Sequence, residues 1–242
     1  MKQEVFFEDL GKRPYKEIWD YQEALLKEKV ALKRSVNNSI PATVPHHLLF
    51  VEHYPVYTLG KSGKQEHVLI TETERLKKGI EYFHINRGGD ITFHGPEQLV
   101  AYPVLDLEQF KTDLGWYLRS LEEVVILTMA EYDLKGDRSV GETGVWIEPN
   151  VAGRERKICA MGIRCSRWVT MHGLAFNVNT DLDYFNYIIP CGIVNKQVTS
   201  LQKELGRMLP MDEVKQKMKK NFEKVFDVEL SKPLKVAKIL SV

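Results

Sequence analysis

"RKICAMGIRCSRWVTMHGLAFNVN", residues 156–179, decides the fold class. It holds two strand-like runs, "RKICAMGIR" and "WVTMHGLAFNVN", in direct succession, with no helical pattern between them. A parallel repeat would need a helical crossover between such strands. Side chains alternate faces along a strand, so Lys157, Cys159 and Met161 are expected on one face and Ile158 and Ala160 on the other. A lysine among apolar strand residues either snorkels to solvent or presents a cation to a pocket.

Outward from this stretch the pattern stays strand-rich. "GVWIE" (144–148), "HHLLFVEH" (46–53), "VYTLG" (56–60), "GIEYFHIN" (79–86), "ITFHG" (91–95) and "QLVAYPVLDL" (98–107) all read as strands. Helical periodicity appears in residues 14–34, with Ile18, Tyr21, Leu25 and Leu32 on one stripe, and again in 113–132 and 211–226. A short strand, "DVEL", follows the last helix. "SVNNSIPATVP" (35–45) and "KSGKQEHVL" (61–69) are loops by composition, and "LDYFNYII" (182–189) is a short helix or turn. Strands in the middle with flanking helices and no regular alternation argue α+β: a mixed sheet with helices mainly on one face.

The chain has 242 residues, enough for a substantial core. Its net charge of +1 gives no bulk attraction to nucleic acid or membrane, so a charged partner must meet a local patch. Three cysteines make no disulfide framework, and Cys159, Cys165 and Cys191 lack the paired spacing of a structural zinc site, so no metal is expected. Reduced thiols, an acidic N-terminal stretch without a signal core, and no run of about 20 apolar residues point to a cytoplasmic protein.

Three segments could carry chemistry. "RGGDITFHG" (87–95) places two glycines after a strand, where the main chain can closely approach a ligand; its plain reading is a bulged turn. It matches neither a phosphate-binding P-loop nor a dinucleotide fingerprint. "RKICAMGIR" offers Lys157. "IIPCGI" (188–193) sets Cys191 between a proline that fixes φ and a glycine that frees the backbone. A free cysteine is usually a small buried hydrophobe, but one on a tight bend is also placed to be a nucleophile. A nearby ammonium would favour the thiolate, making Lys157 the natural activator of Cys191. They stand far apart in sequence, so only the fold could join them. Cys159 and Cys165 are expected to pack. The basic tail of the 211–226 helix reads as a solvated face more readily than as a receiver of an acidic protein.

The motifs R-G-G-x-x-T-F-H-G-P, K-I-x-A-x-G-I-R, H-G-L-A-x-N and P-C-G occur here in that order, with "LLFVEHYPVYTLGKSG", "TGVWI" and "VTSL" around them. From about residue 46 to 201 the chain resembles the lipoyl(octanoyl) transferase family. The resemblance implies the fold of biotin and lipoate protein ligases, one catalytic domain over 1–242 with residues 205–242 as a small C-terminal extension, and no cofactor. It implies transfer of an octanoyl group from octanoyl-acyl carrier protein to a lysine of apo lipoyl domains, those of 2-oxoacid dehydrogenase complexes and the glycine cleavage H protein. Cys191 would carry the acyl thioester and Lys157 would serve as acid/base. Arg87, Gly88, Gly89, Asp90, Ile91, Thr92, Phe93 and His94 would line the acyl pocket, with Ala160, Met161, Gly162, Gly173, Leu174 and Ala175.

His94 and His172 are the alternative bases, since Cys–His pairs are common in acyl transfer. The rival activities are an ATP-dependent lipoate or biotin ligase and an inactive lipoyl-domain binder. One residue departs from the family's H-G-P-G-Q: Glu97 replaces the glycine. A left-handed glutamate would cost about 1 kcal/mol or more, so a slightly different turn is expected there.

Overall fold

In a computed structural model of the chain, which describes residues 2–35, 44–190 and 197–233, two sheets are flanked by helices. The larger sheet begins with β1 (Gln3–Arg13), β2 (His46–His53) and β6 (Gln98–Val104). It continues with β7 (Val145–Ile147), β8 (Arg156–Ser166), β9 (Val169–Asn177), β10 (Gln197–Val198) and β11 (Val228–Ser231). Its order is β10-β8-β9-β6-β2-β1-β11, with β7 also pairing to β8. The β2–β6–β9–β8 centre is antiparallel, whereas β1 runs parallel to both β2 and β11. The smaller sheet is β4-β3-β5, from β3 (Val56–Leu59), β4 (Glu81–His84) and β5 (Ile91–His94).

Strict alternation in the central strands splits the core in two. Leu48 and Phe50 of β2 and Leu99 and Ala101 of β6 face one side. There they meet α3 (Leu114–Ala130) and α5 (Met211–Phe226) through Leu121, Val125, Phe222 and Phe226. Leu49 and Val51 of β2 and Val100 and Tyr102 of β6 face the other side. That side is covered by Ile18, Leu25 and Leu26 of α1 (Tyr15–Ser35). The expectation of helices mainly on one face holds for α3 and α5, while α1 alone covers the second apolar face. α5 and β11 share the main core, Val228 and Phe226 packing with the central strands.

Local chemistry agrees with these ends. Glu17 opens α1 and Lys33 and Arg34 close it, complementing the helix dipole. Asp113 caps α3 by accepting from the Trp116 N–H at 2.9 Å. The sequence pattern signals neither β1 nor β10, nor α2 (Glu72–Lys77) nor α4 (Leu201–Leu205). α2 starts with a Thr71/Glu74 capping box, and β1 buries few side chains fully. Within the described residues no helix is long and apolar enough to cross a membrane. The 35–45 loop expectation falls mostly on 36–43, outside the described residues.

Candidate active site

A cavity lies between the two sheets. One wall comes from the small sheet and the loop before β5: Arg87, Gly89, Asp90, Ile91, Thr92 and His94. The opposite wall is β8 and β9: Ala160, Met161, Gly162, His172, Gly173, Leu174 and Ala175. Small residues at paired positions make the room, since Ala160 stands opposite Ala175 and Gly162 opposite Gly173. Tyr15 and Tyr102 complete the lining. Neither was singled out in the sequence, because each falls on an ordinary apolar stripe.

The expectation for Phe93 is corrected. β5 alternation turns its ring away from the cavity, onto Tyr184 at 4.6 Å between centroids and nearly parallel. Gly88 lines an adjoining cavity with Lys157, and Gly89, Asp90, Met161 and Gly162 border both spaces. The loop is fastened to β8, where the Gly88 N–H donates to the Ile163 carbonyl at 2.9 Å. Arg87 is buried and inward: Nη2 donates to the Thr58 carbonyl at 2.6 Å and to Oγ1 at 3.0 Å.

Lys157 reaches its position by a bulge. β7 residues Val145 and Trp146 are adjacent, but their partners on β8 are Cys159 and Lys157, leaving Ile158 as the extra residue. The bulge breaks alternation. Ile158 and Cys159 both enter the main core with Val145, while Lys157 follows Trp146 to the opposite side. The expected shared face of Lys157, Cys159 and Met161 is thus overturned at Lys157, while Met161 packs against the same core as Cys159. The Lys157 Nζ lies 4.6 Å from the Trp146 ring centroid. Glu122, a fully buried helix residue that passed for one more charge on an amphipathic face, holds this corner. Its Oε1 accepts the Gly144 N–H at 3.0 Å, and its Oε2 meets Arg119 and Arg138. Gly144 has φ +110°, and a Cβ there would lie 2.4 Å from the Cys159 oxygen, so only glycine fits.

Both candidate histidines are buried and neutral. His94 Nδ1 faces the Gln98 Oε1 at 2.9 Å, and its ring stacks on Tyr15. Burial, then the charges near His53 and Arg87, hold its pKa well below the ordinary value. His172 Nε2 donates to Asn86 Oδ1 at 3.0 Å; Asn86 must present oxygen there, because its amide nitrogen donates to Glu23. Burial, then Arg87 and Arg164, push His172 down to about 3. Cys159 and Cys165 are also raised by burial, consistent with packing.

Glu97 is left-handed after all, with φ +60°, which corrects the expectation of a different turn. Compensating contacts surround it. Its N–H donates to Glu52 at 2.9 Å, its carboxylate accepts from Asn179 at 2.6 Å, and its carbonyl accepts from the Asn179 N–H and the Thr180 hydroxyl. Cys191 and Gly192 lie outside the described residues. Among the described residues no three His, Cys, Asp or Glu side chains gather as metal ligands.

The family model of the lipoyl protein ligase A/B catalytic domain matches residues 14–223. An octanoyltransferase of Christiangramia forsetii is 55% identical, over 95% of this chain and 99% of that protein. An octanoyltransferase of Flavobacterium johnsoniae is 53% identical, over 95% of this chain and 100% of that one. In fold, the chain is similar to a bi-partite lipoate protein ligase from Thermoplasma acidophilum, with a TM-score of 0.67 and 18% identity. That likeness covers 96% of this chain and 87% of the other.

Proposed function

This chain belongs to the lipoyl protein ligase A/B catalytic domain family, and from that premise we propose an octanoyl transfer that runs through a thioester on Cys191. The enzyme is an octanoyltransferase acting on lipoyl domains. The donor is an octanoyl thioester of acyl carrier protein, and the work is done in the cytoplasm.

The Cys191 thiolate attacks the donor carbonyl, the carrier thiolate leaves and takes a proton from the Lys157 ammonium, and one thioester replaces another at little free-energy cost. The acceptor lysine amine then attacks the enzyme thioester. An amide forms, the Cys191 sulfur leaves, and the amine proton passes to Lys157. Aminolysis of a thioester runs downhill, so no ATP is consumed. Lys157 has two roles: as an ammonium it favours the thiolate of the first step, and as a free amine it is the base of the second. The N–H of Gly192 steadies the tetrahedral oxyanion. The octanoyl tail occupies the cavity between the Arg87–His94 wall and the wall of Ala160–Gly162 and Gly173–Ala175.

The observation that supports this reading is the pairing of β10 beside Lys157. Gln197 pairs with Arg156 and Val198 with Lys157, and the Thr199 N–H donates to the Lys157 carbonyl at 2.9 Å. Cys191 stands six residues before that strand, within about 20 Å of it at full extension. Lys157 borders the space that shares Gly89, Asp90, Met161 and Gly162 with the acyl cavity.

Incubation with octanoyl-carrier protein, followed by intact-mass measurement, tests the proposal. An octanoyl adduct is expected on the native enzyme and not on Cys191→Ala. Undiminished turnover by Cys191→Ala overturns it, as does ATP-dependent activity on free octanoate in place of transfer from the carrier.

A further inference from the structure

Residues 61–69, "KSGKQEHVL", read as a polar loop, form with Gly60 a strap between two parts of the site. On one side the strap is stitched to the pocket loop by its main chain. The N–H groups of Gly60, Lys61 and Ser62 donate to the carbonyls of Asp90, Arg87 and Gly89 at 3.2, 3.0 and 3.2 Å. The fit is close: a Cβ on Gly60 would lie 2.2 Å from the Gly89 oxygen. On the other side the strap pairs with the segment that leads to the cysteine. The Leu69 N–H donates to the Tyr187 carbonyl at 2.9 Å, the Ile189 N–H donates to the His67 carbonyl at 2.8 Å, and Val68 and Ile188 form an antiparallel bridge.

His67 sits where the two sets of contacts meet. Its carbonyl belongs to the 187–189 pairing, and its side chain turns to the pocket loop, with Nδ1 2.5 Å from Asp90 Oδ2. Both side chains are largely buried, at 16% and 11% exposure, so the pair is shielded from bulk water. The contact is a close approach of ring nitrogen to carboxylate without hydrogen-bond alignment. The other oxygen of Asp90 accepts the Ile91 N–H at 2.7 Å, which orients the carboxylate. Asp90 also lines both cavities.

We infer that His67 is a positioning residue for acyl transfer: through Asp90 it fixes the chain that runs into Cys191 relative to the pocket that holds the acyl tail. The inference rests on the thioester reading above. His67 touches neither substrate nor thiol in this role. It sets the distance between the tail's resting place and the end of the 187–189 segment, and a misplacement of about 1 Å at a reacting centre can cost on the order of 100-fold in rate.

The test is single-turnover acylation by octanoyl-carrier protein, followed by intact mass, for the native enzyme and for His67→Ala, His67→Asn and His67→Phe. Failure of the native enzyme to acquire an octanoyl group on Cys191 would count against the thioester reading itself. Given acylation of the native enzyme, His67→Ala and His67→Phe are each expected to acylate roughly 10- to 100-fold more slowly at saturating donor, with the half-saturating donor concentration unchanged. His67→Asn keeps a polar side chain against Asp90 and is expected to recover most of the rate. His67→Phe keeps the ring volume, so it stands in should the alanine variant not fold. Native-like rates in the alanine and phenylalanine variants overturn the inference. So does a loss that asparagine does not recover, or one confined to half-saturation.

Discussion

The Trp146 ring lies beside the Lys157 ammonium, 4.6 Å from centroid to Nζ, and the two are cross-strand partners at the bulge. The ring's negative face stabilises the cation by roughly 0.5–2 kcal/mol. This supports the charged form needed to activate a thiol, while the second step requires the proton to leave.

Lys157→Arg separates these two duties. A guanidinium keeps the positive charge but does not give up its proton near neutral pH. The acyl-enzyme is expected to form at close to the native rate, while transfer to the acceptor lysine falls by about 10²–10⁴-fold. Lys157→Ala is expected to slow both steps and to move thiol alkylation of Cys191 to higher pH. Intact-mass time courses with and without acceptor report the two steps, and an alkylation series reports the thiol.

Gly162→Ala is expected to push the Arg87–Asp90 loop away from β8. A Cβ at that position would lie 2.9 Å from the Gly88 oxygen and 3.1 Å from Arg87 Cδ. The arginine stem can yield, whereas the backbone oxygen is held by the pairing of Gly88 to Ile163. Overpacking of this kind costs about 1–3 kcal/mol. The half-saturating donor concentration should rise, with a lower urea midpoint.

Glu97→Gly and Glu97→Ala should differ from each other more than glycine differs from the native residue. Alanine keeps the strain of a Cβ at φ +60° and loses the carboxylate contact to Asn179. Glycine loses the same contact but relieves the strain. A gap of about 1 kcal/mol in favour of Glu97→Gly over Glu97→Ala is expected from denaturant unfolding.

Acid should destabilise the protein well above the range where carboxylates protonate. Burial depresses His46 and His53 to about 4 and His172 to about 3. The unfolded chain takes up these protons near pH 6.5 and the folded chain does not. Stability is therefore full above about pH 6.5 and falls as pH drops toward 4, by up to roughly 1.4 kcal/mol per pH unit for each such group. Unfolding midpoints measured at pH 7, 6 and 5 should decline, and less steeply in His172→Gln. Thiol alkylation of His172→Gln should keep the native pH profile, since a histidine neutral throughout that range has no proton to contribute.

Elements with a strong hydrophobic period were legible in the sequence. β2 and α5 match their expected spans, because each repeats its buried side chains over several turns or pleats. β1 was not legible: Val5 is its one core residue, and it pairs in parallel with strands distant in sequence. The cavity between the sheets is foreshadowed by small residues at alternate positions of "AMG" and "GLA", a local signal. The orientation of Lys157 did not follow, because the bulge at Ile158 is visible only once β7 is laid beside β8. Tyr15, Tyr102 and Glu122 passed as ordinary core or surface residues, since their roles come from which elements meet, not from spacing.

The placement of β1 has a consequence for how the chain acquires this structure. Gln3 stands beside Val228, and Phe6 beside Ser231, so one edge of the large sheet closes with residues from near the two extremes of the sequence. Contacts of such long sequence separation give a high contact order, which slows folding because loop-closure entropy is lost before the pairing is gained. During synthesis, β1 waits with one polar edge unpaired until β11 has emerged, and in that interval the edge is open to pairing with another chain. Shortening the protein before Val228 would make that waiting state permanent.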